Sequence, residues 1–242
     1  QTKKDTPEKL PKKAKLAKLN TLSTYSSRNF DLDDDSDEEE KAKLETHPII
    51  IESESEDSYY SDDADSQNPM LKAKKLKDMP NVMFYLNKMP SRPQGDYIDN
   101  IHKYWKTDYR KLEIHHGYIQ WLFPNYYGSN FNRDAFKLLP EEAHMFRSNK
   151  EIATRLVKSY RLILGFFGME IDNFKTGKLK RANNYEERYR ATLITSLHNH
   201  LRVRRILAHL NITGFRKYAI ELVKFIEIEM FGELGGYKKF QE

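Results

Sequence analysis

Tyr118-Ile119-Gln120-Trp121-Leu122-Phe123-Pro124 is the stretch on which the fold turns. One of the chain's two tryptophans stands here among large apolar groups, entered through His115-His116-Gly117 and left through Asn125-Tyr126-Tyr127-Gly128. Pro124 bars an α conformation at Phe123 and has no N–H of its own, so the run ends there. Aromatic side chains bury the most surface per residue, and each large apolar group hidden here stabilises the fold by about 1.5–3 kcal/mol. The segment therefore reads first as a buried anchor and second as one wall of a peptide or ligand groove.

Helical periodicity surrounds it. Tyr97, Ile98, Ile101 and Trp105 fall at helical spacings behind Asp96, and Asp108 caps a second helix carrying Tyr109, Leu112, His116 and Ile119 into the anchor. The stretch from Asn125 to Leu139, with Gly128, Ser129, Asn130 and Asn132, reads as a loop. Pro140, followed by Glu141 and Glu142, opens a short helix. The clearest helix runs from Asn149 to Phe167, with a capping box of Ser148 and Glu151 and with Gly168 placed to close it. Its Ile152, Ala153, Leu156, Val157, Tyr160, Ile163, Leu164 and Phe167 share one face, opposite Glu151, Arg155, Lys158 and Arg161. Residues 169–182 read as a basic, turn-rich connection, and Asn184 and Glu187 start another helix.

From Leu197 to Leu210 the periodicity separates an apolar arc (Val203, Ile206, Leu207, Leu210) from a stripe of His198, Arg202, Arg205 and His209. Such a stripe suits an anion, more so as pH falls through the imidazole range, and is otherwise a solvated helix face. A last helix from Phe215 to Phe231, capped by Thr213, places Tyr218, Ala219, Leu222, Val223, Ile226 and Met230 on one face. Its Glu221, Glu227 and Glu229 are set to pair with the basic helix before it. No stretch alternates convincingly as a strand, so the expected fold class is all-α: a single compact domain of about six or seven helices.

Composition divides the chain. Residues 1–30 carry eight Lys/Arg against two acids, residues 31–69 two against sixteen, and residues 70–242 thirty-one against eighteen, which sums to the net +5. A basic body joined to an acidic segment invites an acidic external partner or association of the two with each other. Residues 1–78 are too poor in large apolar groups to offset their ordering entropy and read as a disordered tail; 79–234 form the helical domain and 235–242 a C-terminal extension. There is no cysteine, which excludes disulfides, thiolate metal sites and cysteine nucleophiles and fits an intracellular compartment. The longest nonpolar cluster, Leu162 to Met169, is far shorter than the ~18 apolar residues of a membrane span. The chain opens at Gln1 without a secretory pattern and reads as an interior piece of a longer protein.

Within the tail, residues 11–18 and 71–77 are basic clusters suited to a nuclear-import receptor or to nucleic acid. Ile49-Ile50-Ile51, followed by Glu52, Ser53, Glu54, Ser55, Glu56 and Asp57, resembles a SUMO-interacting motif, in which a β-branched core adds as a strand to a sheet edge. Ser36, Ser53, Ser55, Ser58 and Ser61 have acids shortly downstream, the context acidophilic kinases prefer, and a phosphate on each would strengthen contact with a basic surface. For catalysis the chain offers no glycine-rich phosphate loop, no G-x-S-x-G and no H-E-x-x-H. Adjacent His115 and His116 diverge by about 100° on a helix, and His198 and His200 are poorly spaced, so no metal site and no cofactor is expected. Cations interleaved with aromatics permit nucleic-acid binding without favouring it.

Several motifs together carry a family resemblance. Trp105-Lys106-Thr107-Asp108-Tyr109-Arg110-Lys111-Leu112-Glu113, continuing through His116 to the Tyr118–Pro124 run, resembles the hallmark of the opioid growth factor receptor conserved domain. Leu164-Gly165-Phe166-Phe167-Gly168, Asn184-Tyr185-Glu186-Glu187-Arg188-Tyr189 and the run from His198 to Leu207 resemble later motifs of that domain, in the same order. The likeness covers residues 81–231 and departs in the loop from Asn125 to Asn132 and in lacking the C-terminal repeats of some members. It implies an α-helical, non-enzymatic receptor of nuclear, cytoplasmic and perinuclear location, peripheral to the nuclear membrane, that binds an enkephalin-type peptide and restrains cell proliferation. The family supplies no motif for peptide contacts. On physical grounds Tyr118, Trp121 and Phe123 are the expected wall for the peptide's rings, and Arg202 and Arg205, flanked by His198 and His209, the expected seat of its carboxylate. The alternative is a nuclear adaptor whose basic body contacts protein or nucleic acid while its tail engages SUMO-modified partners.

Overall fold

A single helical turn at the anchor sits inside a frame of longer helices. The computed structural model describes residues 76–232, except 130, 195 and 197. After a 3-10 turn at Leu76–Asp78 come α1 (Pro80–Tyr85), α2 (Ile98–Tyr104), α3 (Tyr109–Ile114), α4 (Ile119–Leu122), α5 (Pro140–Ser148) and α6 (Lys150–Phe167). A hairpin of β1 (Met169–Asn173) and β2 (Lys178–Arg181) follows. Then α7 (Tyr185–Arg188) runs on as a π-helical turn, Tyr189–Ile194, ahead of α8 (His198–Ile212) and α9 (Arg216–Phe231). The SUMO-interacting pattern, the tail serines, the 11–18 cluster, most of the 71–77 cluster and the C-terminal extension lie outside the described residues.

α6 is the axis. Every residue assigned to its apolar face is buried, and α1, α2, α5, α7, the π-helical turn and β1 pack around it. Its start lies one residue later than expected. Asn149, not Ser148, is the cap, its Oδ1 accepting from Glu151 N (2.9 Å) and Ile152 N (3.1 Å), because Ser148 still belongs to α5 and donates to His144 O. Gly168 ends the helix in the left-handed region at φ 80°, where a Cβ would meet the Tyr185 backbone at 2.8 Å. Asp108 caps α3 through Lys111 N (2.9 Å), and Pro140 occupies the first turn of α5, both as the sequence predicts.

Two differences bear on the fold class. The domain is mostly helical rather than all-α, because β1 and β2 pair antiparallel with Met169 opposite Arg181, Glu170 opposite Lys180 and Ile171 opposite Leu179. Met169 and Leu179 face the core, while Lys180–Glu170 and Lys178–Asp172 meet at 3.0 Å on the outer side. The alternation exists in sequence but spans only five and four residues dominated by charge. Among the described residues there are nine α-helices rather than six or seven. α1 is additional, and the helix expected to run from Asp108 to the anchor breaks at His115–Tyr118 into α3 and α4.

α9 closes the fold against α8 and β2. It buries Tyr218, Ala219, Leu222 and Ile226 as expected, but Val223 is exposed. Thr213 does not cap it: its Oγ1 donates back to His209 O (2.7 Å), which ends α8 instead. Of its glutamates, Glu229 accepts from Arg181 Nε of β2 (3.0 and 3.1 Å) and Glu221 pairs with Lys224 of its own helix.

Candidate functional site

α4 is one turn long and Pro124 follows it, so beyond the bond from Phe123 N to Ile119 O (2.8 Å) the carbonyls from Leu122 onward must be satisfied from elsewhere. Tyr85 OH donates to Leu122 O, Arg205 Nη1 to Phe123 O (2.9 Å), and His209 Nδ1 to Pro124 O (2.5 Å). The next carbonyl, Asn125 O, accepts from Leu138 N (2.8 Å). The anchor and the Arg/His stripe are thus two halves of one interaction.

That interaction places most of the expected site residues in the core. Tyr118, Trp121 and Phe123 are fully buried core members. Tyr118 OH donates to Leu112 O (2.7 Å), Trp121 Nε1 to Arg92 O (2.9 Å), and the Phe123 ring meets the His209 imidazole edge-on at 5.7 Å. Arg202, Arg205 and His209 are buried as well, and only His198 is half-exposed. The stripe turns inward because the orphaned carbonyls lie there. Burial pushes the Arg205 guanidinium down to about 9 and the His209 imidazole down to about 3. His209 is neutral, with its proton on Nδ1.

Arg202 serves a second, partly exposed cluster that the sequence did not disclose. Glu113, at the end of α3, accepts from Arg202 Nη1 (3.1 Å), Ser196 Oγ (3.1 Å) and Asn199 Nδ2 (3.4 Å), and lies 2.8 Å from His198 Nε2. Burial alone would raise its carboxyl, but Arg202 and His198 hold it below the usual carboxylate range. Arg202 Nη2 also donates to Glu113 O (2.9 Å), so this arginine joins α8 to α3.

On the other side of Pro124, the loop from Asn125 to Leu138 leaves and returns to nearly one point and is braced from inside. Buried Asn132 donates through Nδ2 to Arg92 O (2.6 Å) and Gly117 O (2.5 Å), and its Oδ1 accepts from Asp134 N (3.0 Å). Ser129 Oγ accepts from Gln120 Nε2 (3.1 Å), Phe131 N (3.2 Å) and Asn132 N (3.3 Å). With its polar side chains turned in, the loop turns rings out: Tyr127 is 70% exposed, and Tyr126, Phe131 and Phe136 are close to half-exposed. Phe136 rests on Trp121 at 5.8 Å; the same loop carries exposed Arg133 and Lys137, the latter with its side chain over Gly128, and the backbone of exposed Arg92 is bonded to it through Asn132. Sequence reasoning missed this surface, although four aromatic residues between positions 126 and 136 of a Gly/Ser/Asn-rich loop were a visible signal. Large rings at a loop surface on a rigid frame are the usual material of a recognition site.

Among the described residues, no group of three or more His, Asp or Glu is arranged to hold a metal ion. Among them, too, no helix is long and apolar enough to cross a membrane. The class defined by this architecture is a mostly helical domain, built on one aromatic anchor and carrying one short hairpin. Residues 74–233 match the family described as the opioid growth factor receptor conserved region, and the chain belongs to that family. It is 43% identical over 150 residues to the opioid growth factor receptor-like protein 1 of Mus musculus, covering 62% of this chain and 32% of that protein. To the opioid growth factor receptor of Homo sapiens it is 40% identical over 148 residues, covering 61% and 22%. The match therefore spans a third or less of these relatives' length. No solved structure matches the chain.

Proposed function

We propose that this chain is the ligand-recognising part of a non-enzymatic intracellular receptor for an enkephalin-type peptide, and that the loop from Asn125 to Leu138 makes the contact. The carrying observation is the braced loop that holds Tyr126, Tyr127, Phe131 and Phe136 at the surface and carries exposed Arg133 and Lys137 among them, with exposed Arg92 bonded to it through its carbonyl. Rings take rings, and these cations take the terminal carboxylate. The names of the relatives, opioid growth factor receptor and its like, support an opioid-type ligand. By the same family reading, the protein acts in the nucleus and perinuclear cytoplasm to restrain proliferation. Imaging of a tagged chain, with and without the lysines of residues 11–18 and 71–77, tests the placement.

Calorimetry on the whole chain with an enkephalin-type pentapeptide and a scrambled control tests the binding. Tyr127→Ala with Phe131→Ala should weaken it by roughly tenfold or more, the usual cost of removing aromatic anchors. Equal heats from the scrambled peptide, or unchanged affinity in the variant, would overturn the assignment. Rings among cations also suit single-stranded nucleic acid, the adaptor reading, so a short oligonucleotide belongs in the same titration. Its binding should fall steeply with salt, whereas a pocketed peptide should respond little.

A further inference from the structure

The chain enters the described domain at the foot of the aromatic loop. Asn81, in the first turn of α1, donates Nδ2 to Lys137 O (3.1 Å) and to Glu142 Oε2 (2.7 Å). Glu142 in turn accepts from Asn81 N (2.8 Å) and Leu139 N (2.9 Å). The described chain therefore starts only five residues before a bond to the stretch that ends in Phe136 and Lys137. The residues before Leu76 include the acidic segment 31–69, with two lysines against sixteen acids. Its apolar groups are grouped: Ile49-Ile50-Ile51 and Tyr59-Tyr60 lie between Glu45 and Asp65. The loop offers the complement: four surface rings with exposed Arg133 and Lys137 in the same segment, exposed Arg92 bonded to it by its backbone, and Asp134 as the opposing acid.

We propose that residues 45–65 dock on the aromatic loop of their own chain. Ile49–Ile51 and Tyr59-Tyr60 cover the rings, the acids face Arg92, Arg133 and Lys137, and the docked segment competes with any ligand for that surface. The competition clause rests on the reading of the loop as the ligand site; the docking itself does not. Reach is sufficient. The eleven residue steps from Asp65 to Leu76 extend up to about 36–40 Å, against a radius of gyration of about 15 Å for a domain of this size. A tether this short gives effective concentrations of roughly millimolar, so even a weak contact is populated. Phosphate on Ser53, Ser55, Ser58 or Ser61 would add about −1.5 to −2 charge apiece and close the surface further.

Because the chain lacks cysteine, Ser58→Cys in the full chain accepts a single nitroxide label, and paramagnetic broadening of amide signals can be read with no peptide present. The expected result is loss of signal at Gly128, Phe131 and Lys137, unchanged on dilution, and restored by Arg133→Glu with Lys137→Glu or by ~0.5 M salt. Broadening that is absent or spread evenly over the domain would overturn the docking. Broadening that fades on dilution would assign the contact to a second copy and overturn it as well. In a separate measurement, Glu52→Gln, Glu54→Gln, Glu56→Gln and Asp57→Asn together should raise affinity for the enkephalin-type peptide about two- to tenfold by freeing the occupied fraction. If that peptide binds nowhere, the label still reports on the docking; if it binds equally well with the tail neutralised, only the competition fails.

Discussion

On the α8 side of Pro124, a guanidinium and an imidazole are buried and donate to main-chain carbonyls; on the loop side, four aromatic rings stand at the surface while the side chains of Asn132 and Ser129 point inward. The usual sorting of polar and apolar groups is reversed across one turn, and the backbone is the reason. A proline-terminated single turn leaves buried acceptors, and only strong, long-reaching donors can meet them from a neighbouring helix. The loop has its own buried backbone to satisfy, which draws its short polar side chains inward and leaves the rings outside. The cations are therefore structural and the rings accessible.

The sharpest way to break this contrast is to remove a donor from the buried side. Arg205→Ala would leave Phe123 O without its partner and open a cavity, at a cost of about 3 kcal/mol or more. Urea denaturation checks it, and a loss well under 1 kcal/mol would mean that the arginine is not what holds α8 to the anchor.

Acid tests the same side without mutation. His209 and the equally buried His102, which lies 2.8 Å from Ser159 Oγ, are held down to about 3 by burial, with Arg205 beside the first and Lys158 and Arg155 beside the second adding repulsion. Asp99 partly offsets this at His102, and the Pro124 carbonyl does so at His209. In the unfolded chain both imidazoles take a proton near pH 6.5, so between about 6.5 and 3 the unfolded state binds more protons. Stability is full above that window and falls as pH drops through it, by about 1.4 kcal/mol per histidine per pH unit. The midpoint of thermal unfolding should fall between pH 7 and 5.5, and His209→Gln should flatten the slope while lowering stability at pH 7. An unchanged midpoint would show that these imidazoles are not held neutral.

On the loop side the corresponding change is smaller. Asn132→Ala removes the donor to Arg92 O and Gly117 O, at a cost of about 1–2 kcal/mol. The cost should appear locally, as faster amide exchange at Phe131 and Asp134, whose N–H groups bond within the brace. Uniformly faster exchange across α6 would instead make Asn132 part of the global core.

Periodicity made the frame legible. The buried face of α6, the glycine at its end, the cap at Asp108 and the proline opening α5 all follow from local rules that the rest of the fold does not override. It could not show which way α8 faces. The pattern groups Arg202, Arg205 and His209 on one stripe, but whether that stripe meets water or a row of carbonyls depends on a turn more than eighty residues away, as in the Arg205–Phe123 and His209–Pro124 bonds. The hairpin was hidden by its brevity, since Met169 and Leu179 are too few to announce a strand among so many charges. The loop is legible as a loop but not as a surface, because turn residues report the backbone and not the exposure of the rings between them.

The smallest stability effect is the most informative about function. The Tyr127 ring is mostly in solvent, and the bond that fixes its position is made by its backbone N–H to Asn125 Oδ1 (3.0 Å), which an alanine keeps. Tyr127→Ala should therefore shift unfolding by no more than about 0.5 kcal/mol. A ring held at the surface without helping to hold the fold together is available to a partner, and its removal should weaken enkephalin-type peptide binding several-fold in a protein of unchanged stability. If Tyr127→Ala instead lost stability on the scale expected for Asn132→Ala, the ring would be part of the brace, and the distinction between an inward polar set and an outward aromatic set would fail at the loop itself.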